Sequence, residues 1–200
     1  MRVFSIPTRT RCFCFATLSG VHCSHLMVVP SRGSYLNLQS LLRDGRDAAS
    51  VSVPLQGKQG SAGQVVVSLL ALDALRAASG EVAAAPVAAV STAGPSSLRV
   101  DVGALTLTAA VKRDIDVADV WVEVDLLGLV DASALRTKRI NKTSANLDFS
   151  FTQTVSVAPG GKQQAALRSA LSSAQEQDAD VYFVVKTLTA RNQEREVGQG

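Results

Sequence analysis

Asp119-Val-Trp-Val-Glu-Val-Asp-Leu-Leu-Gly128 sets the architecture of this chain. Val120, Val122, Val124 and Leu126 fall on one side of an extended backbone, and Trp121, Glu123 and Asp125 fall on the other. Such strict alternation predicts a strand with one buried face and one mostly polar face. Outward from it, Leu98-Arg-Val-Asp-Val102 and Leu147-Asp-Phe-Ser-Phe151 alternate in the same way, with Phe149 and Phe151 expected in the core. Val181-Tyr-Phe-Val-Val185 is apolar on both faces, as a central strand would be. Together these runs predict a mainly all-β antiparallel β-sandwich.

One short helix is expected between the last two strands. Leu167, Ala170, Leu171 and Ala174 recur at three- and four-residue steps within Lys162 to Gln175, after the turn Pro159-Gly-Gly161. Near the other end, Val51-Ser-Val-Pro-Leu55 and Val65, Val67 and Leu69 read as strands, with Pro54 marking an end or an edge. Helical turns are expected at Leu38–Leu42 and after Leu72, the latter stopped by Gly80. Gly103 sits where the apolar parity switches from Leu98, Val100 and Val102 to Leu105 and Leu107, which predicts a bulge.

Four segments follow. Residues 1–32 form a leader, residues 33–76 a first group of strands, residues 77–96 an Ala-, Ser-, Gly- and Pro-rich linker, and residues 97–200 the main block. A flexible linker of that length spans roughly 25 Å, enough to cross a small sandwich. The terminal stretch Ala190 to Gly198 reads as a charged loop that breaks off at Gly200.

Charge separates the leader from the body. Arg2, Arg9, Arg11, Arg32 and Arg43 precede the first acid, Asp44, and the remaining 15 basic and 17 acidic residues sum to −2. A body so nearly neutral argues against nucleic acid as a partner. The leader admits three readings: an Arg-rich, acid-poor targeting peptide, a zinc site, or a disordered start, of which the last is favoured. Zinc would draw on Cys12, Cys14, His22, Cys23 and His25, but Cys-x-Cys is tighter than the usual spacing.

Chemistry-bearing groups are sparse elsewhere. Asp114, Asp116 and Asp119 share one loop, yet calcium wants six to eight oxygens, and the facing stretch Thr187 to Val197 adds only Glu194 and Glu196. A solvated loop is the favoured reading, so no metal and no cofactor are expected. Both histidines lie in the leader, and no paired carboxylates or phosphate loop stand out, so the expectation is that the chain is not an enzyme. Arg136, Lys138, Arg139 and Lys142 gather four positive charges after Gly128, which would suit an anionic lipid surface or simply a solvated loop. Trp121 and Glu123 complete the expected partner-binding set, Trp121 as an exposed-face aromatic of the kind enriched at hot spots. Its other reading is a tryptophan packed against the helix near Leu167 and Leu171.

A family resemblance rests on Trp121-Val-Glu-Val-Asp125, Ser133-x-Leu135-Arg136 with Lys138, Phe149-x-Phe151, Arg168-x-x-Leu171, Asp180-Val-x-Phe183-x-Val185 and Glu196-x-Gly198. By these residues the block from Leu98 to Gly198 resembles the C-terminal domain of the retinitis pigmentosa GTPase regulator-interacting protein family. Tyr35-x-x-Leu38-x-x-Leu41-Leu42-x-x-Gly45-Arg46-Asp47, Gly63-x-Val65-x-Val67-x-Leu69 and Ala74-Leu75 are similar to the closing strands of that same domain, yet stand earlier in the chain. Thr137-Lys-Arg139 and Lys186-Thr-Leu188 depart from the family's loop sequences. The resemblance implies a C2-like sandwich, either permuted within one fold or cut from tandem repeats and incomplete. It implies a calcium-independent, non-catalytic scaffold of the ciliary transition zone and basal body. Its partners would be a propeller-type GTPase regulator and other ciliary scaffold proteins; the alternative is peripheral binding to anionic membrane.

Overall fold

Alternation carries through into a nine-stranded antiparallel sheet in a computed structural model, which describes residues 35–58, 60–80, 96–189 and 193–200. In chain order the strands are β1 (Leu36–Asn37), β2 (Ala48–Gly57), β3 (Gly60–Leu70), β4 (Ser96–Leu107), β5 (Asp119–Asp125), β6 (Ile140–Asn141), β7 (Asp148–Val157), β8 (Asp180–Leu188) and β9 (Glu194–Gln199). The helices are α1 (Leu38–Asp44), α2 (Leu72–Ser79), α3 (Ala109–Arg113) and α4 (Lys162–Ser172). One short helix was expected, and the described residues form four α-helices. The others are so short that apolar spacing over one or two turns barely separates helix from turn.

Spatial order is β6-β5-β8-β9-β2-β3-β4-β7, with β1 added to β8. A single rung, Gln56 opposite Gln199, joins β9 to β2. The sheet therefore divides into two runs of four strands. Leu98, Val100, Val65 and Val67 from one run share a hydrophobic cluster with Val120, Val122, Phe183 and Val185 from the other. Residues 48–70 thus lie between β9 and β4, in the same sheet as residues 96–199.

Several boundaries move. Pro54 does not end its strand; it pairs with Gln64 inside β2, on a stretch where β9 forms no rung. The run from Gln56 to Gly63, expected as a connection, is a hairpin that closes at Gly57 opposite Gly60. Residues 77–79 are helical, and β4 already begins at Ser96, so the linker is shorter than its composition implied. Glu194–Gln199 is a strand rather than a charged loop, because its partner β8 supplies the ladder from Leu188 to Val184. α4 stops at Ser172, short of Gln175. The register shift between Val102 and Ala104 places a bulge at Gly103, with the extra residue on β7, where Ser150 takes φ 44°. That bulge leaves Phe151 half-buried while Phe149 stays in the core. The expectations for residues 1–32 lie outside the described residues.

Side-chain caps tie the helices together. Asn37 accepts from the Ser40 amide at 2.9 Å and so closes the start of α1. Gly45, at φ 67°, ends that helix in the left-handed region that glycine adopts without strain. Asp47 accepts from the amides of Ala71 and Leu72 at the start of α2, at 2.7 and 2.8 Å. Gln39 of α1 donates to carbonyls at the end of α4, and Gln164 and Arg168 of α4 donate to Ala77 and Ala78 at the end of α2. Helix carbonyls that lack an intrahelical partner are thus met by side chains from distant parts of the chain.

Candidate functional site

On β5, Trp121 and Glu123 leave the core side to Val120, Val122 and Val124. β8 lies beside it with Lys186 opposite Trp121 and Val184 opposite Glu123. β9 then places Glu196 opposite Lys186 and Glu194 opposite Leu188. On the far side of β5, residues 136–141 run back antiparallel, with Arg136 opposite Glu123 and Ile140 opposite Val120. Thr137 locks that return: its amide donates to the Val122 carbonyl, and its hydroxyl accepts from the Val122 amide, both at 2.9 Å. Strand pairing thus puts Arg136 and Arg139 above the indole of Trp121.

Trp121, read either as an exposed-face aromatic or as packed against the helix near Leu167 and Leu171, is fully buried. The Arg139 guanidinium lies 4.6 Å from its ring centroid and that of Arg136 lies 5.3 Å away. Both distances are within the range in which a cation is drawn to the negative face of an aromatic ring. Alternation correctly put Trp121 outside the core, but the long arginine side chains close over it.

Glu123 is the hub beneath them. It accepts from Trp121 Nε1 at 3.2 Å, from Arg136 Nε at 2.7 Å and from Lys186 Nζ at 2.5 Å. Burial works to raise its carboxyl, but the hydrogen bonds from Lys186, Trp121 and Arg136 outweigh it and hold the group below the usual carboxylate range. Arg136 reaches on to Glu194, with Nη2 3.0 and 3.1 Å from its two oxygens. Arg139 lies 3.9 Å from the same carboxylate. Three cations and two carboxylates form one preset network. With its oxygens held by three donors and its carboxyl lowered, Glu123 is an anion at neutral pH.

Of the remaining residues expected at the site, Lys138 is exposed and lacks a side-chain partner among the described residues. Lys142 turns away, and its Nζ donates to the backbone carbonyl of Asp114. Asp114 also accepts from Arg195 Nη2 at 2.7 Å, and Asp116 lies 3.8 Å from the same guanidinium. The hydrogen bond from Arg195 holds the Asp114 carboxyl below its usual range. Asp119 accepts from Asn141 at 3.2 Å, and Glu194 and Glu196 stand with the tryptophan cluster. The protein's own cations therefore occupy the aspartate loop. Among the described residues no three carboxylate, histidine or cysteine side chains converge on a metal position.

Sequence reasoning missed Lys186, and it gave Glu194 to the aspartate loop. The signal for Lys186 was a lone cation in an otherwise apolar strand; its use required knowing that β8 pairs with β5. No protein-family model matches the chain, and no curated protein matches it well enough to be counted a relative.

Proposed function

We propose that this chain is a non-catalytic protein-interaction module, and we read its two four-stranded runs as the two sheets of a C2-like sandwich. The partner we assign is a propeller-type GTPase regulator within a scaffold of the ciliary transition zone and basal body. One observation carries this reading. Trp121 and Glu123, Arg136 and Lys138, and Glu196, from three separate motifs of the family resemblance, lie on or beside one outer-face patch. The patch is preset, with charged groups held in place by one another, so little side-chain entropy is lost on docking. Tryptophan and arginine are the residue types that dominate binding energy at protein interfaces. Arg139 and Glu194 stay accessible at 45% and 39% side-chain exposure.

The lipid alternative draws on the same basic run. Of its four cations, Arg136 and Arg139 are paired with acids and Lys142 with a carbonyl, which leaves Lys138 as the free charge. Membrane attraction of about 1 kcal/mol per basic residue near the surface makes one free lysine a poor anchor.

Titration calorimetry with a purified seven-bladed propeller of a GTPase regulator tests the proposal. Binding by the unmodified chain that weakens at least tenfold in the double variant Lys138→Glu, Arg139→Glu supports it. No binding, together with salt-sensitive sedimentation on phosphatidylserine vesicles, would sink it in favour of the lipid reading.

A further inference from the structure

The run β2-β3-β4-β7 turns Val65, Val67, Leu69, Val100 and Val102 to the core, and its other face is not flat. Three pairing irregularities cross that face in line. The register shifts between Ala48 and Val51 in β2, between Val65 and Val67 in β3, and between Val102 and Ala104 in β4. Ser50 and Ser150, on the two outer strands of the run, take φ 51° and 44°, and Gly103 of β4 stands between them without a side chain. A bulge bends its strand and sharpens the local twist, and bulges concentrate beside functional sites. Here they dish the face into a hollow of about 270 Å³, whose lining includes Val66, Ser68, Arg99, Asp101, Gly103 and Thr152.

A row of polar groups runs across the hollow. Ser68 Oγ accepts from the Ser50 amide at 2.9 Å. Ser68 lies opposite Asp101, and Asp101 lies opposite Thr152. Arg99 Nε and the Thr152 hydroxyl both donate to the same oxygen of Asp101, Oδ1, at 2.9 and 2.7 Å. These bonds fix the carboxylate in place. They leave its Oδ2, the terminal nitrogens of Arg99 and the hydroxyl proton of Ser68 without a partner among the described residues.

That remainder selects a ligand class. Arg99 and Asp101 cancel in charge, so a lone anion or cation would meet a like charge beside the unlike one. Two neighbouring neutral hydroxyls are matched instead: one donates to Asp101 Oδ2, and the other accepts from the Arg99 guanidinium and the Ser68 hydroxyl. Val66, half-buried, adds an aliphatic wall for the C–H face of a ring. The volume lies below the roughly 300 Å³ at which sites for drug-sized ligands begin, which limits the guest to about one ring. We propose that this hollow binds a neutral sugar ring, held through adjacent hydroxyls by Asp101, Arg99 and Ser68. It lies on strands other than β5, β8 and β9, which carry the Trp121 patch, so the inference does not depend on the proposed protein partner.

The test probes an array of neutral mono- and oligosaccharides, with sialylated and sulfated members beside them, with the full chain. A neutral member that binds is then titrated by NMR. Amide shifts are expected at residues 66–68, 99–103 and 150–152 and not around Trp121. Affinity should fall at least tenfold in Asp101→Asn, which removes the accepting charge, and in Gly103→Val, which fills the hollow. A Cβ at Gly103 comes no nearer than 3.6 Å to the Val66 carbonyl oxygen, so that position has room for a side chain. The emission of Trp121, on the other run of strands, checks that each variant is folded, and either folded variant suffices. No binding by any neutral member, a preference for the sialylated or sulfated ones, or an affinity that a folded variant leaves unchanged overturns the proposal.

Discussion

The indole N–H of Trp121 donates to the carboxylate of Glu123, 3.2 Å away and two residues along the same strand. Neighbours i and i+2 on a strand share a face, so the contact is local. What makes it a site is the cover that distant residues supply.

Trp121 is the sole tryptophan, so its fluorescence reports that cover directly. Arg139→Ala removes the nearer guanidinium and admits water to the ring. The emission maximum is expected to shift to the red, with a stability loss of roughly 0.5–1 kcal/mol in chemical denaturation. An unchanged spectrum would show that Arg139 does not shield the indole.

Glu123→Gln keeps the shape of the side chain and removes the charge shared by Arg136 and Lys186. A loss of about 1–3 kcal/mol is expected, as for hydrogen bonds to a charged group that leave partly buried partners unmatched. Glu123 has a folded pKa below its unfolded one. Its contribution is therefore present above the ordinary glutamate range and lost as pH falls through the folded value. Denaturation midpoints of the unmodified chain and the glutamine variant should converge as pH falls below the ordinary glutamate range. Midpoints that stay parallel would contradict this role.

Asp180 shifts in the opposite direction. Burial raises its carboxyl, against the hydrogen bonds from Asn37 Nδ2 at 2.6 Å and Tyr182 at 3.3 Å, while the nearby Glu176 adds to the rise. A raised folded pKa means stability that is full below the unfolded value and lost as pH climbs through the folded one. Asp180→Asn should abolish that loss and equal or exceed the unmodified chain at neutral pH. Thermal melts across the range above the usual aspartate value of 3.8 would show it, and a variant that is less stable at neutral pH would refute it.

Gly198→Ala tests the corner where β9 meets β2. The added Cβ would lie 2.7 Å from the Ala62 Cβ and 3.4 Å from the Leu55 Cβ, neither of which can swing away. Overpacking of this kind costs typically 1–3 kcal/mol. The same change at Gly128, which meets nothing within 4 Å but takes φ 66°, carries only the backbone cost of a left-handed alanine. A smaller loss at position 198 than at 128 would mean the corner is loose.

Much of the strand pattern was legible, because burial of one face writes a two-residue period into the sequence. β5 and the bulge at Gly103 follow from apolar parity, and β8 from a short run that is apolar on both faces. Phe151 departs because a bulge on β7 resets that parity, and such an irregularity carries no composition of its own. β9 was hidden because Glu194, Arg195 and Glu196 resemble a solvated loop until β8 is known to supply their backbone partners. α2 is capped from afar, by Asp47 on the amides of Ala71 and Leu72, 24 and 25 residues away, a relation that no local pattern carries.

By itself the sequence determined the class of fold, the inward residues of its main strands and the near-neutral body, since these depend on local chemistry and period. Tertiary structure alone decided that Arg136 and Arg139 cover Trp121, that Arg195 answers Asp114, and that β2 and β3 lie between β9 and β4. Each of these is a relation between strands, and strand order depends on packing summed over the whole core and on no stretch read singly.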